Sequence, residues 1–375
     1  MKFEYVATKS ASRPSGEDLR AQTTRIAAGV TSQLRNSELA TGGVWELVWL
    51  ALSPDNANLA YLARTTDASN QFAVVLRGTT ASLLDILEDL EVGTVVPFAA
   101  CGTDQVAVSR GAMAAFTQIV NATSFATPGT TLATALEREL DAAPSSPQPT
   151  VHVTGHSLGG CLATMVAPYL MAQQLPNDPA YSLVTYAAPT AGLANFADYV
   201  ENLKGLTYTR IVNAFDLIPL AWTDLERGKD LFPQPPGPRS TPEVRTLLAE
   251  IAALTNGFAY AQPGAATPLN TDYDPGLGLT RWSTEDYLGQ VGFQHANATY
   301  LMLAGAPPVT AGPVVTSIFP TFGEPGTVDH RHGAPRDRDR RCAGHQCVRH
   351  LAGRPTGTVR LRWTPTPAGR PGQPE

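Results

Sequence analysis

The sequence predicts an α/β protein in which helices flank both faces of a mostly parallel central sheet. Short apolar runs of strand length alternate with stretches of helical period from residue 45 to residue 212. Hydrophobic residues make up 43% and charged residues 16% of 375, which suits a large, well-filled core. Residues 151–162, VHVTGHSLGGCL, pass from a β-type run through a glycine-serine-glycine turn into a helix-forming stretch.

In chain order, residues 17–40 carry Leu19, Ile26, Val30 and Leu34 at helical spacing, a helix that covers one face of the sheet. Apolar runs at Trp45–Leu52, Asn58–Arg64 and Phe72–Arg77 are separated by SPDN and TTDASN turn signals, and they read as a strand meander. Helical patterns follow at Leu83–Leu90, Gly111–Val120 and Leu132–Leu140, and PSSPQP then breaks the chain. A strand over Thr150–Thr154 and a helix over Leu158–Met171 bracket the glycine turn; strands at Leu183–Tyr186 and Thr207–Val212 come next. Residues 222–294 are less regular, with a proline-rich patch (Pro233–Pro238), a helix over Pro242–Leu254 and a glycine- and proline-rich loop. They read as an excursion over the site face of one domain, residues 1–303. Residues 304–313 read as a linker, and VVTSIFPTFGEPGT (314–327) resembles the start of a TIG-type immunoglobulin-like domain. From 328 onward strand alternation is lost, and arginine, proline, glycine and histidine accumulate. An out-of-frame reading of GC-rich DNA has this composition, and disorder is the expectation for 314–375.

Charge is unevenly placed. Residues 328–375 hold ten arginines and four acids, leaving 17 basic against 29 acidic residues in the first 327. An acidic body excludes nucleic acid as its expected partner and offers no attraction to an anionic membrane. No window reaches the 18 or so apolar residues of a transmembrane helix. The N-terminus lacks the apolar core of a signal peptide, so a cytoplasmic location is the default expectation, with export by another route as the alternative. Four cysteines in a chain of this length are no disulfide framework, and Cys161 reads as a small buried hydrophobe. Cys342, His345, Cys347 and His350 are spaced too tightly for a zinc finger, so no metal is expected.

Gly155, Ser157 and Gly159 occupy the three fixed positions of G-x-S-x-G, with His156 as the first variable residue. The turn lifts a serine hydroxyl clear of the sheet, where it can attack a carbonyl, and it leaves no room for side chains on either side. That chemistry needs a histidine base and an acid to orient the base. The first 327 residues contain three histidines. His156 cannot swing round to its neighbour's hydroxyl, and His152 lies inside an apolar strand, so His295 remains as the base. The chain order serine, acid, histidine is that of an α/β-hydrolase fold. Among the acids in between, Asp216 follows a strong strand in the apolar setting AFDLIP, and Asp198, on a helix-like stretch, ranks next. The backbone N–H of Leu158 is one expected oxyanion donor. Thr79, after the strand FAVVL, is expected to supply the other.

Several of these segments together resemble the fungal-type class 3 lipases. VLRGTT is similar to that family's oxyanion motif, VTGHSLGGCLA to its elbow, TYAAPTAGLANFADYV to TFGxPRxGNxxFaxY and RIVNAFDLIP to its acid motif. His295 and Tyr300 match its late H-x-x-x-x-Y. The resemblance runs from about 60 to 303. It implies Ser157 as nucleophile, Asp216 as acid, His295 as base, Thr79 and Leu158 as oxyanion hole, and no cofactor. The substrates it implies are lipids or other hydrophobic carboxylic esters, met at a lipid–water interface; phospholipase A1 or short-chain esterase activity is the alternative within enzymes. An inactive hydrolase-fold binding module is the non-enzymatic alternative. The sequence departs from the family where Thr190 stands for its arginine and Ala188 for the glycine before the proline, and in the long stretch from Asp216 to His295. The family's lid would fall on 82–102, where Leu83, Leu84, Ile86, Leu87 and Leu90 form one apolar face; a plain core helix reads equally well there.

Overall fold

The computed structural model describes residues 18–77, 90–99, 106–269, 272–273 and 283–309. Thr79, the lid positions Leu83, Leu84, Ile86 and Leu87, the Cys342–His350 cluster and the TIG-like segment lie outside the described residues.

The chain runs α1 (Leu19–Leu34), β1 (Trp45–Leu52), β2 (Leu59–Thr65), β3 (Gln71–Leu76), β4 (Val95–Pro97), β5 (Ala107–Ser109), α2 (Arg110–Asn121) and α3 (Leu132–Ala142). It continues with β6 (Thr150–His156), α4 (Leu158–Ala172), β7 (Ala180–Tyr186), α5 (Ala194–Glu201), β8 (Leu206–Val212), two short 3₁₀ turns, α6 (Pro242–Leu254), β9 (Ala266–Pro268), α7 (Thr284–His295) and α8 (Asn297–Leu303). The main sheet has the order β1-β2-β3-β6-β7-β8-β9. β1, β2 and β3 are antiparallel, the expected meander, and every pairing from β3 to β9 is parallel. β4 and β5 form a separate antiparallel pair. The α/β-hydrolase arrangement expected from the sequence is therefore present.

Strand alternation divides the core. Leu50, Leu52, Leu59, Tyr61, Ala63, Ala73 and Val75 face Ile26, Val30 and Leu34 of α1. The opposite parity, Trp49, Ala51, Ala60, Leu62, Phe72, Val74, Leu76, Val151 and Val153, faces the larger cluster containing α2, α3 and α4. α1 starts where Asp18 accepts the Ala21 N–H at 2.7 Å. α4 is buried over nearly its whole length, which explains why its sequence, LGGCLATMVAPYLMA, carries no charge. Cys161 within it is fully buried, as expected, and burial pushes its thiol up to about 12.

Residues 222–294 add more order than their composition announces. β9 supplies a seventh strand from a segment that reads as loop, and α7 carries His295 as its last residue. Residues beyond α8 pack on the body: Ala306 and Val309 lie against Ala187, Tyr300 and Leu301.

Candidate active site

The site grows from the C-terminal end of β6. Gly155 pairs with Leu76 and Thr185 across the two neighbouring strands, and Ser157 follows with φ 58° and ψ −131°. This conformation costs a serine about 1–3 kcal/mol and persists because the surroundings dictate it. The Ser157 N–H donates to the Tyr186 carbonyl at 2.9 Å. A Cβ on Gly155 would stand 2.2 Å from the backbone carbon of Gly159, and one on Gly159 would stand 2.2 Å from the Leu76 carbonyl oxygen. Glycine at both positions is thus a steric requirement of the turn. Leu158 opens α4, so its N–H belongs to the first turn, which has no intrahelical acceptor and carries the positive end of the helix dipole.

Asp216 lies in a tight turn four residues after β8. Its N–H donates to the Asn213 carbonyl at 3.0 Å, Asn213 Oδ1 accepts the Phe215 N–H at 3.2 Å, and Asp216 Oδ1 accepts the Ile218 N–H at 3.0 Å. Thr190, in the position of the family's arginine, is fully buried and donates to the Ala221 carbonyl at 2.8 Å, tying the β7 loop to this segment. Of the two alanines before Pro189, Ala187 is the one at positive φ, 53°. The backbone conformation that favours glycine therefore falls at Ala187 and not at Ala188.

His295 reaches the turn from the other side. Ala296, at φ −62° and ψ 141°, ends α7 and redirects the chain into α8. Asn213 Nδ2 donates to the Gln294 carbonyl at 3.0 Å and to Gln294 Oε1 at 2.6 Å, satisfying a last-turn carbonyl of α7.

These parts meet in one relay. His295 Nδ1 lies 2.9 Å from Asp216 Oδ2 and 3.1 Å from Oδ1, and His295 Nε2 lies 2.8 Å from Ser157 Oγ. A carboxylate only accepts, so Nδ1 carries the proton and Nε2 is left to accept from the Ser157 hydroxyl. Ser157, Asp216 and His295 are all buried. Tyr300 donates its hydroxyl to Asp216 Oδ2 at 2.8 Å and accepts the Asn213 N–H at 2.8 Å. Burial, with the nearby Asp216 charge second, holds the Tyr300 phenol well above its ordinary range, so it stays a donor.

Ser157, Asp216 and His295 are thus brought together as expected, with Leu158 beside them. Asp198 lies within α5 and makes no contact with the relay; its carbonyl accepts from Asn202. His152 Nε2 lies 3.1 Å from Gln71 Oε1, the satisfied strand histidine expected, and burial lowers its basicity. Nothing in the sequence assigns a role to Asn213, and Tyr300 stands out there only as the last position of a motif. The available signals were an asparagine closing a strand and a tyrosine five residues after the base. Among the described residues, no group of three or more His, Cys, Asp or Glu is placed to hold a metal, and no helix is long and apolar enough to cross a membrane.

Fold and site together define an α/β-hydrolase-type protein with a hydrogen-bonded Ser–His–Asp relay. Residues 73–225 match the family model described as lipase (class 3). A secreted mono- and diacylglycerol lipase of Fusarium solani is 42% identical over 67 residues, 18% of this chain and 19% of that protein. A Caenorhabditis elegans lipase is 35% identical over 69 residues, again 18% and 19%. The matched segment thus spans about a fifth of either curated relative. The solved structure of M37 lipase aligns with a TM-score of 0.68 at 23% identity over 81% of this chain and 90% of that one, a likeness of fold.

Proposed function

We propose that this chain is a serine ester hydrolase, a triacylglycerol lipase or carboxylesterase acting on hydrophobic carboxylic esters. The observation that carries the reading is the unbroken relay from Asp216 through His295 to Ser157 Oγ, with all three residues buried and the nucleophile on a strained elbow. The class 3 lipase match and the names of the similar proteins support the same substrate class.

In this mechanism His295 Nε2 takes the Ser157 proton as Oγ bonds to the ester carbonyl carbon, and Asp216 stabilises the imidazolium that forms. The carbonyl oxygen becomes an anion facing the Leu158 N–H, with Thr79 proposed as the second donor; one such donor is worth about 3 kcal/mol in the transition state. The intermediate collapses, the C–O bond to the alcohol breaks, and His295 returns the proton to the departing alkoxide. Water, deprotonated by His295, then attacks the acyl-enzyme; the acid leaves and Ser157 regains its proton. No step requires a metal or an organic cofactor.

Ser157→Ala should reduce turnover of p-nitrophenyl butyrate by about 10⁴-fold or more while leaving the melting temperature near that of the parent. Retained turnover would overturn the assignment. Emulsified triacylglycerols, partial glycerides, phospholipids and soluble short-chain esters, compared at equal enzyme concentration, decide the substrate within the class. The name of the Fusarium relative makes partial glycerides the first to try.

A further inference from the structure

His156 cannot serve as the base, yet its ring packs against both His295 and Tyr300. It ends β6, pairs with Tyr186 across the sheet and is 4% exposed. Its ring centroid lies 4.8 Å from that of His295 at an interplanar angle of 40°, and 5.2 Å from that of Tyr300, edge-on at 83°. His295 and Tyr300 are the two side chains that hydrogen-bond the Asp216 carboxylate. His156 therefore fills the space behind both donors to the acid, while the next residue in the chain is the nucleophile.

His156 Nε2 is buried without a hydrogen-bond partner. A stranded buried nitrogen costs stability, and an apolar ring of similar shape would avoid that cost. A locally unfavourable choice at this position points to a role beyond filling space. Burial chiefly, and then the charge of His295, keep His156 well below the ordinary histidine range, while a hydrogen bond to the His295 backbone pulls the other way. With Nε2 unpartnered, Nδ1 is the nitrogen that meets the His295 backbone. The ring thus stays neutral when its neighbour becomes cationic, which a second imidazolium at this distance would oppose.

We propose that His156 is a positioning residue: a neutral imidazole wedged between His295 and Tyr300 that holds both on Asp216 and presents His295 Nε2 to Ser157. The proposal rests on the reading of Ser157 and His295 as nucleophile and base. It acts through those residues and adds no chemical step.

The test compares His156→Phe, which keeps the ring but removes both nitrogens, with His156→Asn, whose amide nitrogen stands where Nδ1 does. Three quantities are read: kcat and KM on p-nitrophenyl butyrate, the melting temperature, and the low-field proton resonance of His295 Nδ1–H. In His156→Phe the melting temperature should equal or exceed that of the parent. Its kcat should fall by about 10-fold or more with KM within about twofold, since small displacements of a catalytic group are costly, and its low-field resonance should weaken. His156→Asn should recover part of the lost kcat. A packing role alone would make stability and turnover move together. Parental kcat with an unchanged resonance in His156→Phe would overturn the proposal. Should the parent itself fail to hydrolyse esters, the functional reading falls, and the resonance alone decides the positioning role: unchanged in His156→Phe, it refutes it.

Discussion

Ser157 is held by close packing within its strand–turn–helix unit and against the flanking strands β3 and β7, whereas Asp216 and His295 sit in a polar network whose longer-range bonds join residues 79 to 87 positions apart in the chain. On the serine side the constraint is steric: Gly155 and Gly159 leave no room for a Cβ, and the neighbouring strands fix the turn. On the other side the constraint is polar. Asn213, Gln294 and Tyr300 bind the end of β8 to the junction of α7 and α8. One half is rigid through close packing, and the other is a network in which each member satisfies the next. Damage should therefore differ in kind: to folding on the serine side, and to catalysis with modest loss of stability on the other.

The largest expected effect breaks the steric half. In Gly155→Ala the new methyl would run into three backbone atoms of the Gly159–Gly160 peptide, with no flexible side chain to yield. Destabilisation of about 3 kcal/mol or more is expected, visible as a melting temperature far below that of Ser157→Ala, the control that leaves the turn intact. A near-parental melting temperature would contradict the steric account.

Asp216→Asn should keep the fold and lower kcat by about 10⁴-fold, because an amide at this position favours the wrong tautomer of His295. Asp198→Asn, on α5, should remain within about twofold of the parent, as surface changes away from a site do. Equal losses in the two variants would remove Asp216 from the relay. Tyr300→Phe tests the outer network. It deletes one donor to Asp216 and leaves the buried Asn213 N–H without its acceptor, for an expected loss of about 1–3 kcal/mol in chemical denaturation. The accompanying fall in kcat should be smaller than for Asp216→Asn, because the Ile218 N–H and His295 still hold the carboxylate.

The same contrast explains what could be read from the sequence. Ser157 and its glycines announce themselves because the constraint is written within five residues. Strand and helix periods are equally local, so β1 to β3, β6 to β8 and helices α1 to α4 and α6 fall close to their expected places. Scarcity of histidines singles out His295 and an apolar strand-end setting singles out Asp216, and neither signal depends on their partners. Asn213, Gln294 and the hydroxyl of Tyr300 are ordinary polar residues until the fold brings them together. β9 is hidden for a related reason: Ala266–Pro268 is short, exposed throughout and contains a proline, so it has no alternation to mark it, and only pairing with β8 makes it a strand. The positive φ at Ala187 is likewise invisible where no glycine marks it.

The smallest predicted effect is on the pH dependence of stability, and it separates the two β6 histidines from the rest of the molecule. His152 and His156 both bind protons less readily in the folded chain than at their ordinary value of 6.5, in each case chiefly because of burial. Below pH 6.5 the unfolded chain therefore binds more protons than the folded one, and stability must fall as pH falls. The loss begins near 6.5 and continues down to the folded-state values, with each histidine contributing at most about 1.4 kcal/mol per pH unit. Above pH 7 both are neutral in either state, and neither contributes a slope. Urea unfolding of the parent at pH 7.5, 6.5 and 5.5 should show little change across the first step and a clear drop across the second. His156→Phe should flatten that drop more than His152→Phe, because His156 is fully enclosed against another histidine whereas His152 retains partial exposure and Gln71 as a partner. A slope in His156→Phe equal to that of the parent would mean that His156 takes up a proton in the folded chain as readily as in the unfolded one, which would also remove the neutral wedge proposed behind His295.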